Sequence, residues 1–343
     1  LNIYFWPQTN NKRVASYRIR CLNIVKLFEE RLYGPSFYIK KPFLFSFRRP
    51  HTLILSKRYD SKSIAHAIKL KEKFGTELYL DLCDNHIFYK HETPKLKKRK
   101  IDFINAIDKI DNIITSSDYL ANEISKYKNK NKIRVIEDLT EKPSSYSKYD
   151  TIFSPSKYRE YKRLKSFLKS NEAKGPENII WFGNKGTPHS GGGIDDLSLT
   201  IDILNKVYEK RPITFTVMSN SKKSFSPILE RLKCPTLYIE WNLQFSSDIL
   251  SLHDTCIIPI KKTPFTLSKS SNRVLTALSH GLNVIADPIP SYKKYQEFIT
   301  IGVDYENLKY SAKKTRQRGD IDKLIYLQNK RILDDWQKIF INE

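Results

Sequence analysis

Short apolar runs alternate with stretches of helical periodicity along most of the chain. In the first half, Asn2–Trp6, Thr52–Ser56, Glu77–Asp81, Asp111–Thr115 and Ile133–Glu137 read as strands. Between them, Ser16–Phe28 sets Ile19, Leu22 and Val25 on one helical face. Ser63–Phe74 does the same with Ile64, Ala67, Ile68 and Phe74, and Gly75 closes it. Ser117 caps a third helix, Tyr119–Tyr127. Residues 138–176 are rich in Lys, Ser and Tyr and read as a connection carrying a helix over Ser156–Leu168. The alternation then resumes with strands at Asn178–Phe182, Ile213–Met218, Thr236–Glu240, Thr255–Ile260 and Leu282–Ala286. Asp196–Tyr208 is amphipathic through Leu197, Ile201, Leu204 and Val207. A closing helix, Ile321–Phe340, sets Ile325, Ile332, Trp336 and Phe340 on one face.

This alternation predicts parallel sheets with helices on both faces. The fold expected is α/β, with two doubly wound, Rossmann-like domains facing a cleft. Their bounds are expected at 1–150 and 177–318, joined by a helical linker at 151–176. The C-terminal helix at 319–343 is expected to pack back on the first domain. The two halves repeat an architecture and no sequence motif.

The stretch Lys269–Pro290 is the first candidate for chemistry. Ser270 or Ser271 can N-cap a short helix through a hydroxyl. Val274, Ala277 and Leu278 follow at helical spacing, and Gly281 sits where a helix stops in the left-handed region. Lys269, Ser270, Ser271, Asn272 and Arg273 crowd donors at the helix start, where free N–H groups and the dipole favour an anion. An ammonium beside a guanidinium fork suits a diphosphate; a surface helix with a basic cap fits the spacing equally well.

Glycines make a second candidate. The strand ending at Phe182 runs into Gly183-Asn184-Lys185-Gly186, and Gly191-Gly192-Gly193 precedes the next helix. In a doubly wound domain ligands bind beyond the carboxyl ends of the strands, where glycine lets backbone N–H groups approach phosphate. The spacing matches neither a P-loop nor a strict G-x-G-x-x-G, which argues against an NTPase or a dehydrogenase. In the first half, Asp81-Leu82-Cys83-Asp84-Asn85-His86 sets carboxylates and an imidazole at a strand's carboxyl end. Asp84, with His86 second, is the candidate base, and one of the two aspartates is structural.

These segments resemble the GT-B glycosyltransferases. Gly281-Leu282-Asn283-Val284-Ile285-Ala286 is similar to the strand that follows the donor-diphosphate helix of that family. The order W-F-G-N-K-G, then G-G-G-I-D-D-L, resembles the first strand, loop and helix of its donor domain. The D-x-x-D-N pattern resembles a segment of bacterial sugar transferases. The resemblance implies a sugar moved from a nucleotide-sugar to an acceptor hydroxyl, with the donor held by the second domain. It places Glu240 and Trp241 near the nucleotide base, and Arg18 and Arg20 on the acceptor side with Asp81. Arg18 and Arg20 are two apart on a helix, so at most one of them points to the cleft. Many retaining members carry two glutamates eight residues apart around the donor helix. Ser268 and Thr276 stand at those places here, so those contacts do not carry over. No cofactor is expected beyond the nucleotide-sugar substrate. No acidic D-x-D site stands beside the donor helix, because Asp195 and Asp196 read as the cap of their own helix, so metal-independent turnover is expected.

Charge extends the picture. The net charge of +23 across 343 residues points to a polyanionic partner. Basic residues cluster at 95–100, 126–132 and 157–165, in the first half and the linker. A surface glycan or lipid-linked saccharide at an anionic membrane is the acceptor expected. Hydroxylated bases in DNA, as in phage DNA glycosyltransferases, are the alternative. Two further readings are a non-catalytic polyanion-binding protein with a degenerate transferase fold and a sugar-nucleotide epimerase. Four dispersed cysteines, Cys21, Cys83, Cys234 and Cys256, form no C-x-x-C pair and read as buried thiols. No apolar run reaches the ~18 residues of a membrane span, so a cytoplasmic protein, peripheral at the membrane, is expected.

Overall fold

The computed structural model describes residues 1–30, 34–44, 47–173, 175–187, 189–309 and 318–341. They fall into two units. The first holds Leu1–Leu139, Leu267–Ser270 and the chain from Tyr326 on; the second holds Thr140–Thr266 and Ser271–Ile325.

The first unit is built on six parallel strands: β1 Asn2–Pro7, β2 Ser36–Ile39, β3 Thr52–Ser56, β4 Glu77–Leu82, β5 Asn112–Thr115 and β6 Ile133–Val135. Their order is β2-β1-β3-β4-β5-β6. Both faces are covered, which is why the strands read as near-continuous apolar runs. Along β1, Ile3 and Phe5 enter one core cluster while Tyr4 and Trp6 enter the other. The register pairs Ser56 with Asp81, bringing the ends of β3 and β4 side by side.

Four helices matter here. Ala15–Tyr17, Arg18–Leu22 and Asn23–Glu29 run on as α1, whose middle stretch is π-helical. Helix α2, Ser61–Phe74, is capped by Asp60 and ends at Gly75 in the left-handed region (φ 67°). Helix α3, Pro94–Lys109, starts from a Thr93 cap with proline in its first turn, and α4 is Asp118–Ile124, capped by Ser117. The pattern of hydrophobic positions misses α3 because its apolar side is narrow: Phe103, Ala106 and Ile107 are its buried residues. It also misses β2, a short edge strand.

The second unit starts with α5, Lys148–Phe153, and α6, Pro155–Glu172. The segment expected as a linker packs within this unit. Tyr146 lies against Tyr161 and Phe245, with ring centroids 5.4 and 5.0 Å away, and Arg163 donates to the Tyr238 carbonyl (2.7 Å). Its parallel strands are β7 Glu177–Phe182, β8 Ile213–Ser219, β9 Thr236–Glu240, β10 Thr255–Ile258, β11 Asn283–Ala286 and β12 Thr300–Ile301. Strand β10 stops short of the expected Ile260, because Pro259 has no N–H for the ladder. The helix expected over Asp196–Tyr208 is a 3₁₀ stretch, Ile194–Thr200, running into α7, Ile201–Tyr208. Helix α8, Lys222–Leu229, carries an internal Pro227 and was not legible as a helix; α9 is Asn272–Ser279. The order β12-β11-β10-β7-β8-β9 reverses direction between β7 and β10. That reversal opens a crevice at their carboxyl ends, the standard ligand position in open α/β sheets.

The last helix, α10, is Arg318–Phe340. Trp336 and Phe340 enter the first unit's core beside Phe5, Phe28 and Phe37. Phe340 lies edge-on to Phe28 with ring centroids 4.8 Å apart.

Candidate functional site

In the second unit, the chain leaving β7 and the helix following β10 flank the β7–β10 crevice. Arg273, in the first turn of α9, lies over the buried Trp181 ring, with its guanidinium carbon 5.5 Å from the centroid. Gly183 makes room for it: a Cβ there would sit 3.1 Å from Arg273 Nη2 and from the Trp181 ring. Among the described residues, none gives Arg273 a hydrogen bond or an ion pair, so its half-buried fork is held by stacking alone. Close by, burial pushes the Asp196 carboxyl up to about 6, an effect Arg273 opposes. Burial likewise pushes the Cys256 thiol and the Tyr292 phenol up to about 12, again against Arg273.

The glycine loop is interlocked backbone on backbone. A Cβ on Gly186 would lie 1.9 Å from the Gly192 carbonyl oxygen, and one on Gly193 would lie 2.4 Å from the Gly186 nitrogen. Both positions also have positive φ, 79° and 89°, which favours glycine independently. Two of the amides expected to face an anion are committed elsewhere. Gly183 N–H donates to the Met218 carbonyl (3.1 Å) and Lys185 N–H to Asn220 Oδ1 (2.8 Å). Thr263 Oγ1 donates to the Ser190 carbonyl (3.2 Å), tying the segment after β10 to this loop. The Asn184 and Lys185 side chains are exposed.

The expected serine cap differs. Ser271 is the N-cap of α9 without a side-chain cap bond, and its Oγ donates to Tyr295 Oη (3.4 Å). Ser270 Oγ donates to Asp138 Oδ2 (2.6 Å), and Asn272 is the first residue of the helix. The helix N-terminus is therefore left to its own backbone donors. At the end of β9, Glu240 accepts from Tyr238 Oη (2.8 Å), and Trp241 N–H donates to the Ser219 carbonyl (2.7 Å) with its ring half-buried.

In the first unit, Asp84 is clamped between the ammonium groups of Lys57 and Lys269. Burial alone would raise its pKa, but Lys269 and Lys57 overcome this and hold the carboxylate well below its usual range. Lys57 is the one non-glycine residue with positive φ (53°) among the described residues, and its N–H donates to the Asp81 carbonyl (2.9 Å). Strained backbone at the end of β3 thus aims its ammonium at Asp84. The segment carrying Lys269 is clasped on both sides. Asn85 Nδ2 donates to Ser268 Oγ (3.3 Å), and Ser117 Oγ to the Ser268 carbonyl (2.8 Å).

Three of the expected site residues, Arg20, Asp81 and His86, lie in buried side-chain networks. Arg20 and Asp81 are buried and paired, with Arg20 Nη2 2.6 Å from Asp81 Oδ1. Arg20 also reaches Asp138 (2.9 Å) and the Ile136 carbonyl (2.9 Å), while Ser56 Oγ donates to Asp81 (3.0 Å). The π-helical stretch of α1 turns Arg20 into the sheet's carboxyl end, where it pairs with Asp81 away from solvent. Arg18 stays half-buried, donating to the Lys12 carbonyl (3.0 Å). His86 is also buried. Its Nε2 accepts from Arg99 Nη2 (3.2 Å) and its Nδ1 meets Tyr89 Oη (3.1 Å). Burial, aided by Arg99, Lys57 and Lys269, pushes its pKa down to about 3 against the pull of Asp84. Both ring nitrogens are committed, and the imidazole holds Arg99 in place.

Lys57 and Asp138 were not singled out from the sequence, and Arg99 only as a member of the basic cluster at 95–100. Lys57 had a usable signal, since it directly follows the predicted strand Thr52–Ser56, where chemistry gathers in this architecture.

No protein-family model matches the chain, and comparison with curated proteins by sequence finds no match. Solved structures do match, over the whole length. A glycosyltransferase from Rickettsia africae ESF-5 is similar with a TM-score of 0.63 at 12% identity, covering 100% of this chain and 99% of that one. HepE from Anabaena, solved with UDP and glucose, gives 0.60 at 10% identity over 98% and 99% of the two chains. WaaG, a glycosyltransferase involved in lipopolysaccharide biosynthesis, gives 0.56 at 10% identity over 100% of both. The fold is that of the GT-B glycosyltransferases: two parallel α/β domains, each with a six-stranded sheet.

Proposed function

We propose that the protein is a glycosyltransferase that takes a sugar from a nucleotide-sugar. The second unit holds the donor. The carrying observation is Arg273: a guanidinium over Trp181 with no hydrogen-bond partner among the described residues, beside the β7–β10 crevice and in the first turn of α9. A planar fork with its donors uncommitted, next to a helix N-terminus, fits the two phosphates of a nucleoside diphosphate. As the sugar–phosphate bond breaks, charge builds on the leaving diphosphate. Arg273 and the α9 backbone amides stabilise that charge without a metal. HepE binds UDP in the same fold, which supports a nucleoside diphosphate as leaving group.

In this reading Asp84 anchors charge and is not a proton acceptor. A carboxylate held well below its usual pKa by two ammonium groups is a poor base at neutral pH. Its work is to fix Lys57 and Lys269 as ordered cations. Lys269 lies four residues before Arg273 in the chain, so the same segment carries an anchored ammonium and an uncommitted guanidinium. The acceptor is a hydroxyl of a surface glycan or lipid-linked saccharide, a choice supported by the excess of positive charge and by WaaG's place in lipopolysaccharide biosynthesis.

The test is a panel of nucleoside diphosphates and nucleotide-sugars read by thermal shift, followed by turnover with the stabilising donor. A cognate nucleotide raises Tm by mass action. Arg273→Ala abolishes the shift and Arg273→Lys leaves most of it missing. Stabilisation by no nucleotide, or stabilisation that survives Arg273→Ala, overturns the assignment.

A further inference from the structure

A short helix normally turns its apolar stripe inward. Helix α5 does the reverse. Tyr149, Ile152 and Phe153 occupy positions i, i+3 and i+4, one face of one turn, and are 72, 67 and 80% exposed. The helix is not loosely specified. Ser147 and Asp150 form a full capping box, in which Asp150 N–H donates to Ser147 Oγ (3.2 Å) and Ser147 N–H to Asp150 Oδ2 (2.7 Å). A well-capped helix presenting three large apolar side chains to water marks a docking surface.

Charge decides what docks there. Pro155 opens α6 two residues further on, and α6 exposes Arg159, Lys162, Lys165 and Lys169. Of the acidic side chains of this stretch, Asp150 and Glu160 are half-buried and Asp150 is engaged in the cap, while the exposed Glu172 stands at the far end of α6, away from α5. Apolar anchors followed by a basic helix fit one chemistry: acyl chains below anionic headgroups. A second copy of the chain would bring these basic helices together at a net charge of +23 per chain, which like-charge repulsion opposes. A nucleic acid would satisfy the lysines but would leave Ile152 and Phe153 facing phosphate.

We infer that α5 and the exposed face of α6 form a membrane-docking surface, in which Tyr149, Ile152 and Phe153 enter the interface of an anionic bilayer and the basic residues of α6 meet its headgroups. This does not rest on the transferase reading, and its test reads binding rather than turnover.

The experiment is co-sedimentation of the full chain with vesicles of phosphatidylcholine alone, or of an equal mixture of phosphatidylcholine and phosphatidylglycerol. Binding to the mixed vesicles and little to the neutral ones is expected. The pair Ile152→Ser and Phe153→Ser weakens partitioning by roughly tenfold or more, with Tm unchanged because neither side chain is part of the core. The pair Lys162→Glu and Lys165→Glu weakens it in a salt-sensitive way. Insertion is read with Phe153→Trp, whose added fluorescence is quenched by brominated acyl chains. A second basic-aromatic stretch is the control: Phe43 and Phe47, 64 and 106% exposed, lie between Lys40, Lys41 and Arg48, Arg49 in the first unit. Three results overturn the proposal. These are no binding to mixed vesicles, binding unchanged in the Ile152/Phe153 variant but lost on Phe43→Ser with Phe47→Ser, or preferential binding to duplex DNA that the Ile152/Phe153 variant retains.

Discussion

Gly183 and Arg273 share one space: a Cβ on the glycine would lie 3.1 Å from the guanidinium Nη2. The absence of a side chain on β7's outgoing residue is what lets an arginine from α9 lie over Trp181.

Gly183→Ala therefore acts on Arg273 before it acts on stability. The neighbours in its way are the end of a flexible side chain and an indole edge, so the guanidinium is displaced and the sheet is kept. Nucleotide affinity measured by calorimetry falls while the urea midpoint stays near wild type. Arg273→Ala is the stronger change, lowering kcat/KM by ~100- to 1,000-fold, the loss typical of removing one oxyanion donor. Wild-type affinity in both variants is the result that removes Arg273 from the site.

The interlocked glycines separate strain from collision. At Gly191 a Cβ would meet its nearest neighbour at 3.5 Å, so Gly191→Ala carries only the left-handed penalty, ~1–2 kcal/mol. At Gly186 the same substitution also meets a carbonyl at 1.9 Å and forces the backbone to move. Urea denaturation should rank Gly186→Ala clearly below Gly191→Ala. Equal losses would mean that the two strands of the loop are not in contact in solution.

Acid should destabilise the fold through buried imidazoles. His86 is pushed from 6.5 down to about 3 by burial, and His253, also buried, down to about 4. Between those values and 6.5 the unfolded chain binds protons that the folded chain does not, so stability rises with pH across this window and levels off above it. Asp196, raised to about 6, has the opposite sign and weakens the slope between 3.8 and 6. His86→Gln should flatten the rise in urea midpoint between pH 4 and pH 6.5. An unchanged slope would show that His86 is already accessible to protons.

Turnover with the cognate donor should persist in EDTA, since the stabilising charge proposed for the leaving diphosphate belongs to Arg273 and α9. Loss of activity in EDTA with recovery on adding Mn²⁺ or Mg²⁺ is the contrary result.

Much of the fold was legible because parallel strands covered on both faces are buried at every position and so read as mostly apolar runs, as Thr52–Ser56 and Ile213–Ser219 do. Legibility failed where burial was partial. Ser36–Ile39 has one neighbour strand, and α3 hides three residues under a lysine-rich surface, although Thr93 and Pro94 carried a usable start signal. The site divides in the same way. Arg273 and the glycine loop were visible because local chemistry marks them. The Asp84 clamp joins residues 27 and 185 positions apart, and the Arg20–Asp81 pair spans 61. No local pattern distinguishes a buried, paired arginine from an accessible one, so the burial of Arg20, Asp81 and His86 in networks of their own was not legible.

The aromatic seam of Phe5, Phe28, Phe37, Trp336 and Phe340 also bears on how the chain is made. Strand β1 rests on α10, which is made only after the whole second unit. The N-terminal domain cannot close its core during synthesis and must wait, with apolar rings uncovered, until the whole second domain has been translated. The unit that holds β1 is completed only after the second unit has been made, and a chain cut before Tyr326 should hold a folded second unit beside a first unit that stays soft and sticky.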